Sequence, residues 1–504
     1  MKRRIPVWLA IAAASLPMFM ATLDNLVVTS ALPAVHADLG ASVEELQWIT
    51  NAYTLSFAAL MLLAVGLGDR FGRRHLFIAG IGVFTISSAF AAMSTDPTAL
   101  IVWRAVEGAG AAAIMPLSLT LLVGSVPDRL RTVAIGAWGG ISGLGVALGP
   151  LIGGAVVEGW SWEAIFWLNV PVGIVAVPLA LLALPNTLGA RVRADFLGVV
   201  LAGLGVLGVV FGIVRGNDAG WTSAQVLVGL VGGGLLLVAF VVRQATTSAP
   251  LLPLRFFRDR SFALANVVAM TFSFGAFGAV FILIQFLQVV QGRSPLEAGV
   301  WTMPWTLAPM VIAPLAGMVA PRVGTRVLIA GGMAFLSAGL FWIAGAMSAD
   351  VTFAGLLPGF LLAGIGMGAV FGPISTAVLA RMPQEDHAKA SGANSTLREI
   401  GVALGIAVLT AVFTGAGGQL TPTGYVDAAQ PAVLVGAGVV AVSALVALFL
   451  PAGRGVAAAA PEAAGAAPAG VPDAATAVGA APAAAAPAPS PAPAAPAPSP
   501  APAA

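Results

Sequence analysis

The sequence predicts an all-α polytopic membrane protein, and three observations carry that expectation. Of 504 residues, 59% are hydrophobic and only 9% charged, where a soluble domain holds about 25% charged residues. Apolar runs of 18 or more residues recur along the whole length, each long enough to cross a hydrocarbon core of about 30 Å. The basic residues fall almost wholly on alternate connections between those runs, as they do when Lys and Arg are held on one side of a bilayer.

Taken in order, the first run spans 8–31 behind a basic stub of Lys2, Arg3 and Arg4. No small-residue cleavage site clearly follows it, so it reads as a retained helix and not a removed signal peptide. Polar breaks then bound spans at roughly 46–67, 76–94, 99–124, 133–156, 163–184, 195–214, 223–242, 262–289, 300–319, 327–346, 353–379, 395–414 and 431–450, fourteen in all. With the N-terminus inside, the even-numbered connections should be basic. Of the 23 Lys and Arg, Arg104 and Arg398 fall within spans and Arg215 and Arg293 on the outer side, leaving nineteen on the inner connections and termini. A miscounted span would scramble that distribution. Trp48, Trp160, Trp162 and Trp221 fall at the outer edge, where amphipathic rings settle. Residues 455–504, ending APAPSPAPAAPAPSPAPAA, have too little apolar bulk to fold and enough proline to stay extended, so a disordered Ala/Pro-rich cytoplasmic tail is expected.

Composition excludes several functions. There is no cysteine, hence no disulfide, thiol catalysis or thiolate metal site. His36, His75 and His387 are too scattered in sequence to form a metal site. The net charge of +2 says nothing of nucleic acid, because the basic residues are accounted for by topology. No connection is long enough for a soluble domain, and no nucleophile sits beside a base, so an enzyme is not expected.

Five charges remain deep within spans: Asp24, Arg104, Glu107, Arg398 and Glu399. Each costs about 2.5–3.5 kcal/mol at a helix centre on insertion scales, so each should face a partner or an aqueous cavity. The first helix runs outward and the fourth runs inward. At about 1.5 Å per residue, Asp24, Arg104 and Glu107 then share one depth in the outer half of the bilayer. Arg104 and Glu107, three apart, share a helix face. Two acids and one base can hold or release a proton; the alternative is an ion pair that only fixes helix packing. For Arg398 and Glu399 two readings stand, a position within the thirteenth helix or an amphipathic lead-in (HAKASGANSTLREIG) that leaves both at the cytoplasmic surface.

Several segments carry a family resemblance. GLGDRFGRRHL (Gly66–Leu76), with Asp69, Arg70, Gly72, Arg73 and Arg74, resembles the cytoplasmic loop signature of the major facilitator superfamily, although Val65 stands where that family has glycine. A reduced copy, GMVAPRVGTR (Gly317–Arg326), follows the tenth span, with Pro321 in place of the acid. RAVEGAG (Arg104–Gly110) is similar to the family's fourth-helix motif, whose arginine is implicated in proton transfer; Glu107 replaces the usual glutamine. In the fifth helix Gly136, Gly145, Gly149, Pro150, Gly153 and Gly154 match the antiporter signature in every spacing. LDNLVVTSALP (Leu23–Pro33) and WSWEAIFWLNVPVG (Trp160–Gly173) resemble the fourteen-helix drug:H⁺ antiporter branch, in which the position of Asp24 couples protons and cations; Thr29 replaces its usual asparagine.

The resemblance covers about residues 8–450 and implies a major facilitator fold of 14 transmembrane helices. The domains implied are an N-terminal six-helix bundle over 1–184, two additional helices and linkers over 185–261, and a C-terminal six-helix bundle over 262–454. Asn25, Tyr53, Gln285, Gln288, Arg398 and Glu399, with Met-rich and Phe-rich faces, are candidates to line a cavity between the bundles, with ordinary helix packing as the alternative for the four uncharged residues and the faces. The implied function is proton-coupled antiport exporting amphipathic drug-like or antibiotic molecules, cationic or zwitterionic, by alternating access. A proton symporter for uptake of a small metabolite is the alternative, and a membrane sensor or enzyme comes third. No cofactor or metal is expected, the proton gradient being the drive. The implied partners are the small-molecule substrate, protons and the lipid bilayer, with no nucleic acid. A monomer in the cell membrane with both termini cytoplasmic completes the expectation.

Overall fold

The structure is a computed structural model that describes residues 6–188, 195–383, 386–422 and 424–451; the Ala/Pro-rich tail lies outside them. Among the described residues, thirteen helices are long and apolar enough to cross a membrane, and fourteen when α2, bent by 50° between Met61 and Leu63, counts as one span. In order they are α1 (Val7–Leu39), α2 (Val43–Phe71), α3 (Arg73–Ala92), α4 (Pro97–Ser125) and α5 (Asp128–Gly159). Next come α6 (Ala164–Ala183), α7 (Phe196–Ala219), α8 (Ala224–Thr246), α9 (Arg260–Val290) and α10 (Pro295–Val323). The last four are α11 (Thr325–Ala346), α12 (Phe353–Leu379), α13 (His387–Gly415) and α14 (Val426–Ala447). The chain is a multi-pass membrane protein.

Two helix limits differ most from expectation. The first span was expected to close at 31, before Pro33, yet α1 continues through Pro33 to Leu39 and stops at Gly40, at φ 65°. Proline removes one donor without ending a helix whose neighbours hold it, whereas a left-handed glycine does end it. The thirteenth span was expected to start at 395, yet α13 starts at His387. Its polar first turns are held by a buried pair, Asn394 Nδ2 donating to Asn266 Oδ1 on α9 at 3.0 Å.

Local signals explain the other boundaries. Ser42 and Glu45 form a capping box at the start of α2, and Ser294 and Glu297 another at the start of α10, satisfying donors that the first turn leaves free. Asp96 caps α4 by accepting from Ala99 N. α10 carries Pro304, Pro309, Pro314 and Pro321 within the helix.

The helices form two six-helix bundles, α1–α6 and α9–α14, with α7 and α8 inserted between them; α7 packs on α2, α8 and α13, and α5 packs on α10. One end of the array carries the α2–α3, α8–α9 and α10–α11 connections with their arginines; the other is arginine-poor. A buried apolar core from Ala10 to Leu184 is confined to the N-terminal bundle and includes Phe77, Phe84 and Leu121. A second core is shared. It runs from Leu23, Val27, Leu32 and Trp162 of the N-terminal bundle into Phe272, Phe281, Trp305 and Phe413 of the C-terminal one. The bundles are thus fused through their arginine-poor halves. Hydrogen bonds cross at that end too, from Gln288 Nε2 to Ser30 O at 3.0 Å and from Leu296 N to Glu158 Oε2 at 3.2 Å.

Candidate functional site

The intramembrane charges of α1 and α4 meet in the centre of the N-terminal bundle. Arg104 Nη1 donates to Asp24 Oδ2 at 2.5 Å and to Glu107 Oε2 at 2.6 Å. Its Nε reaches Ile49 O on α2 at 3.3 Å. Asp24, Arg104 and Glu107 are 2%, 0% and 0% exposed, so water does not screen them and each contact is worth more than it would be at a surface. The guanidinium lies 4.4 Å from the Tyr53 ring centroid and 5.7 Å from that of Phe166, a cation–π enclosure from two helices.

Two residues that the sequence reading did not single out complete the cluster. Asn169 Nδ2 donates to Asp24 Oδ1 and to Ser88 Oγ, each at 3.0 Å. Ser88 Oγ in turn donates to Phe166 O at 3.0 Å. Asn169 follows the break of α6 at Leu168, which turns its amide toward α1. The available signal was an amide in an apolar run. Every atom of the cluster's acids is matched except Glu107 Oε1, which is buried without a hydrogen-bond partner among the described residues.

The other candidates fall elsewhere. Tyr53, one of the candidates to line a cavity, is buried, covers Arg104, and donates from its hydroxyl to Ala21 O at 3.0 Å. Gln285 is likewise buried and donates to Phe281 O of its own helix at 2.9 Å. Both point into packed interior because burial of the adjoining turns leaves them no open face. Gln288 bridges α9 to α1 as described above. Asn25 is half-buried. Arg398 and Glu399 are half-buried as well, eleven and twelve residues into α13 and hence about 16–18 Å from its start. Arg398 places its guanidinium 4.3 Å from the Phe371 ring centroid. Of the two readings the structure favours the first: the segment from His387 is helical throughout, and both charges lie within α13.

Between the bundles sits a small apolar cavity of about 20 Å³, lined by Leu26 and Pro150 on one side and Phe277, Trp305, Thr306 and Met367 on the other. Met and aromatic side chains make an adaptable wall. Among the described residues no group of His, Cys, Asp and Glu could hold a metal ion.

The loop signature ties α2 and α3 to α6. Arg73 Nε pairs with Asp69 Oδ1 at 2.7 Å and its backbone N donates to Thr187 O at 3.0 Å. Arg74 Nη1 donates to Leu181 O and Leu184 O at 3.3 and 3.1 Å, at the carbonyl end of α6, where a cation also complements the helix dipole. Gly72, at φ 107°, faces the Asn186 side chain so closely that a Cβ would lie 2.6 Å from it. Arg70 is exposed beside Phe71. These contacts all stay within the N-terminal bundle. In α5 the glycine signature is a two-sided surface. Toward α1, a Cβ on Gly145, Gly149 or Gly153 would come within 3.2, 2.6 or 2.8 Å of Thr22, Leu26 or Val27. Toward α10, one on Gly154 would come within 2.2 Å of Pro295 O, and Gly299 of α10 meets Pro150 in return. Gly136 faces open space.

Comparison with known proteins follows this geometry. The model of the Major Facilitator Superfamily matches residues 14–406. The tetracenomycin C resistance and export protein of Streptomyces glaucescens is 32% identical over 428 residues, 84% of this chain and 79% of that protein. The cephamycin export protein CmcT of Amycolatopsis lactamdurans is 36% identical over 421 residues, 82% of this chain and 86% of that one. A solved POT family transporter, PepTSo, superposes with a TM-score of 0.65 at 14% identity, covering 89% of this chain and 98% of its own, a likeness of fold. With its two bundles, its α2–α3 loop and its glycine-faced α5, the chain belongs to the major facilitator superfamily of transporters.

Proposed function

We propose that the protein exports amphipathic, cationic or zwitterionic drug-like or antibiotic molecules from the cytoplasm by alternating access, each export step exchanging the solute for protons. The observation that carries this is one guanidinium held by two buried carboxylates, Asp24 and Glu107. With both acids ionised the cluster bears one uncompensated negative charge in a dry site, which a proton or a solute cation neutralises. Exchange of one for the other is antiport. Asn169 holds Asp24 in register whichever is bound.

The distribution of Lys and Arg supports assigning the arginine-rich end to the cytoplasm, with both termini on the cytoplasmic side of the cell membrane. The closed arginine-poor end then corresponds to a state that faces inward. Phe277, Trp305 and Met367 suit the apolar body of a solute, and the half-buried Asn25, Arg398 and Glu399 its polar groups. The names of the relatives, which include exporters of tetracenomycin C and cephamycin, support export. The chain works without a cofactor, as a monomer in lipid, with no nucleic-acid partner.

The test is proton release on addition of ethidium to detergent-purified protein, with gradient-driven ethidium export in vesicles measured alongside. Asp24→Asn should remove most of the release and the export yet remain folded, because a neutral amide costs less than a carboxylate in hydrocarbon. Glu107→Gln should alter the pH dependence of the release, since two interacting acids titrate together. Full release and normal export from Asp24→Asn would refute the coupling role.

A further inference from the structure

α2 has two working faces. One, with Ile49 and Tyr53, packs on α4: Arg104 Nε reaches Ile49 O, and a Cβ on Gly108 would lie 2.2 Å from Tyr53 O. The other carries Trp48 and Leu55, which join Val206 and Val210 of α7 and Ala403 and Ala407 of α13. Asn51 follows Trp48 by three residues and precedes Leu55 by four, and Gln47 precedes Asn51 by four, so both lie along this second side. They are 0% and 2% exposed. Among the described residues neither Oδ1 nor Nδ2 of Asn51 meets a hydrogen-bond partner, and Oε1 of Gln47 meets none. Across the seam α13 presents Ala403 and Ala407, with Ile400 and Leu404 packed beside them. One turn before Ala403, on the same face, Glu399 Oε2 is also buried without a hydrogen-bond partner among the described residues.

Three unsatisfied side chains therefore line one seam. A buried polar group left unpaired disfavours the state that buries it by about 5- to 150-fold in equilibrium. A seam that never parted would keep its shape better with apolar residues there. We propose that the α2–α13 seam is the path by which solute leaves at the arginine-poor end, and that Gln47 and Asn51 are its hydrogen-bonding contacts. When the seam parts, their amides meet water and the hydroxyl, carbonyl or amine groups of the departing molecule, and Glu399 receives its cationic group deeper in the path. While it is shut, the same amides bias it toward opening. The proposal rests on the alternating-access reading above.

The test exploits the absence of native cysteine. Asn51→Cys and Ile49→Cys each introduce one thiol, on opposite sides of α2, into purified full-length protein treated with a membrane-impermeant maleimide from pH 5 to 8, with and without ethidium. Asn51→Cys should react at least about tenfold faster than Ile49→Cys, as expected of a thiol uncovered by local opening. A second variant, Asn51→Leu, should melt at a higher temperature than the unsubstituted protein and export ethidium several-fold more slowly, with ethidium affinity within about threefold. Equal slow labelling of the two thiols, or an Asn51→Leu protein that melts lower or exports at the full rate, would overturn the proposal. Failure of the unsubstituted protein to export ethidium would count against the function reading alone; the labelling and melting contrasts still decide this one.

Discussion

Gly154 offers the most direct test of how the bundles are joined. A Cβ there would lie 2.2 Å from Pro295 O, 2.6 Å from Pro295 C and 2.8 Å from Leu296 Cα. All three are backbone or Cα atoms at the first turn of α10, so no flexible side chain can yield. Ordinary contact begins near 3.4 Å, so Gly154→Ala requires α5 and α10 to separate by about 1 Å. Overpacking of that kind costs about 1–3 kcal/mol. On the alternating-access reading the contact is made only while the arginine-poor end is closed, so the cost falls on that state and should move the open–closed equilibrium by about 5- to 150-fold. Spin labels on cysteines introduced at the exposed Ser161 and Asp350, in a chain with no cysteine of its own, would read the separation of the bundles at that end. Gly154→Ala should shift the population toward the long distance. Gly136→Ala, in open space on the same helix, should not. Identical distance distributions for the two variants would refute the claim that this contact closes the seam.

Two further outcomes follow from the arginine-rich end. Gly72→Ala must place a Cβ at φ 107° and 2.6 Å from Asn186, which disturbs the junction of α2, α3 and α6 without touching the charge cluster; ethidium export should fall several-fold while equilibrium affinity stays within about threefold. Asp195 lies outside the spans, at the start of α7. Burial alone would raise its pKa, but the Gly198 amide, Gln244 and Arg243 outweigh it and hold the pKa below the usual carboxylate value. Its contribution to stability is therefore complete above the ordinary aspartate range, near pH 4, and lost as pH falls through the lower folded-state value. Melting temperatures in detergent should place Asp195→Ala below the unsubstituted protein at pH 7, with the gap closing toward pH 3; a gap independent of pH would refute the assignment.

What could be read from the sequence depended on whether the physics was local. Asp24 and Arg104, 80 residues apart, could be matched because topology and rise per residue fix the depth of each in the bilayer. Asn169 could not. It is 145 residues from Asp24, and nothing in its run of the chain says which neighbour it faces. The same limit applies to Tyr53 and Gln285, whose polarity suggested a cavity while their rotation about the helix axis put them inside. The end of α1 was not legible from the polar break either: the helix runs through Pro33, which a packed membrane helix tolerates, and Gly40, seven residues on, is the terminator. In α13, polar residues at the start resembled a loop until Asn266 supplied a partner for Asn394. The spacing of α5 was legible in full, yet only the structure divides its glycines between α1 and α10.

The four prolines of α10 have a mechanical consequence. Each removes the amide that would bond the carbonyl four residues earlier, so the ladder lacks rungs at Val300, Trp305, Met310 and Gly317. The first turn keeps its capping box and its seat against α5. Stiffness therefore falls along the helix, from an anchored end at Pro295 to a compliant one at Val323. Such an element works as a leaf spring clamped at one end. On the alternating-access reading, the C-terminal bundle would swing at the arginine-rich end by flexing α10 along its length, while the clamp at Gly154 and Gly299 stays shut.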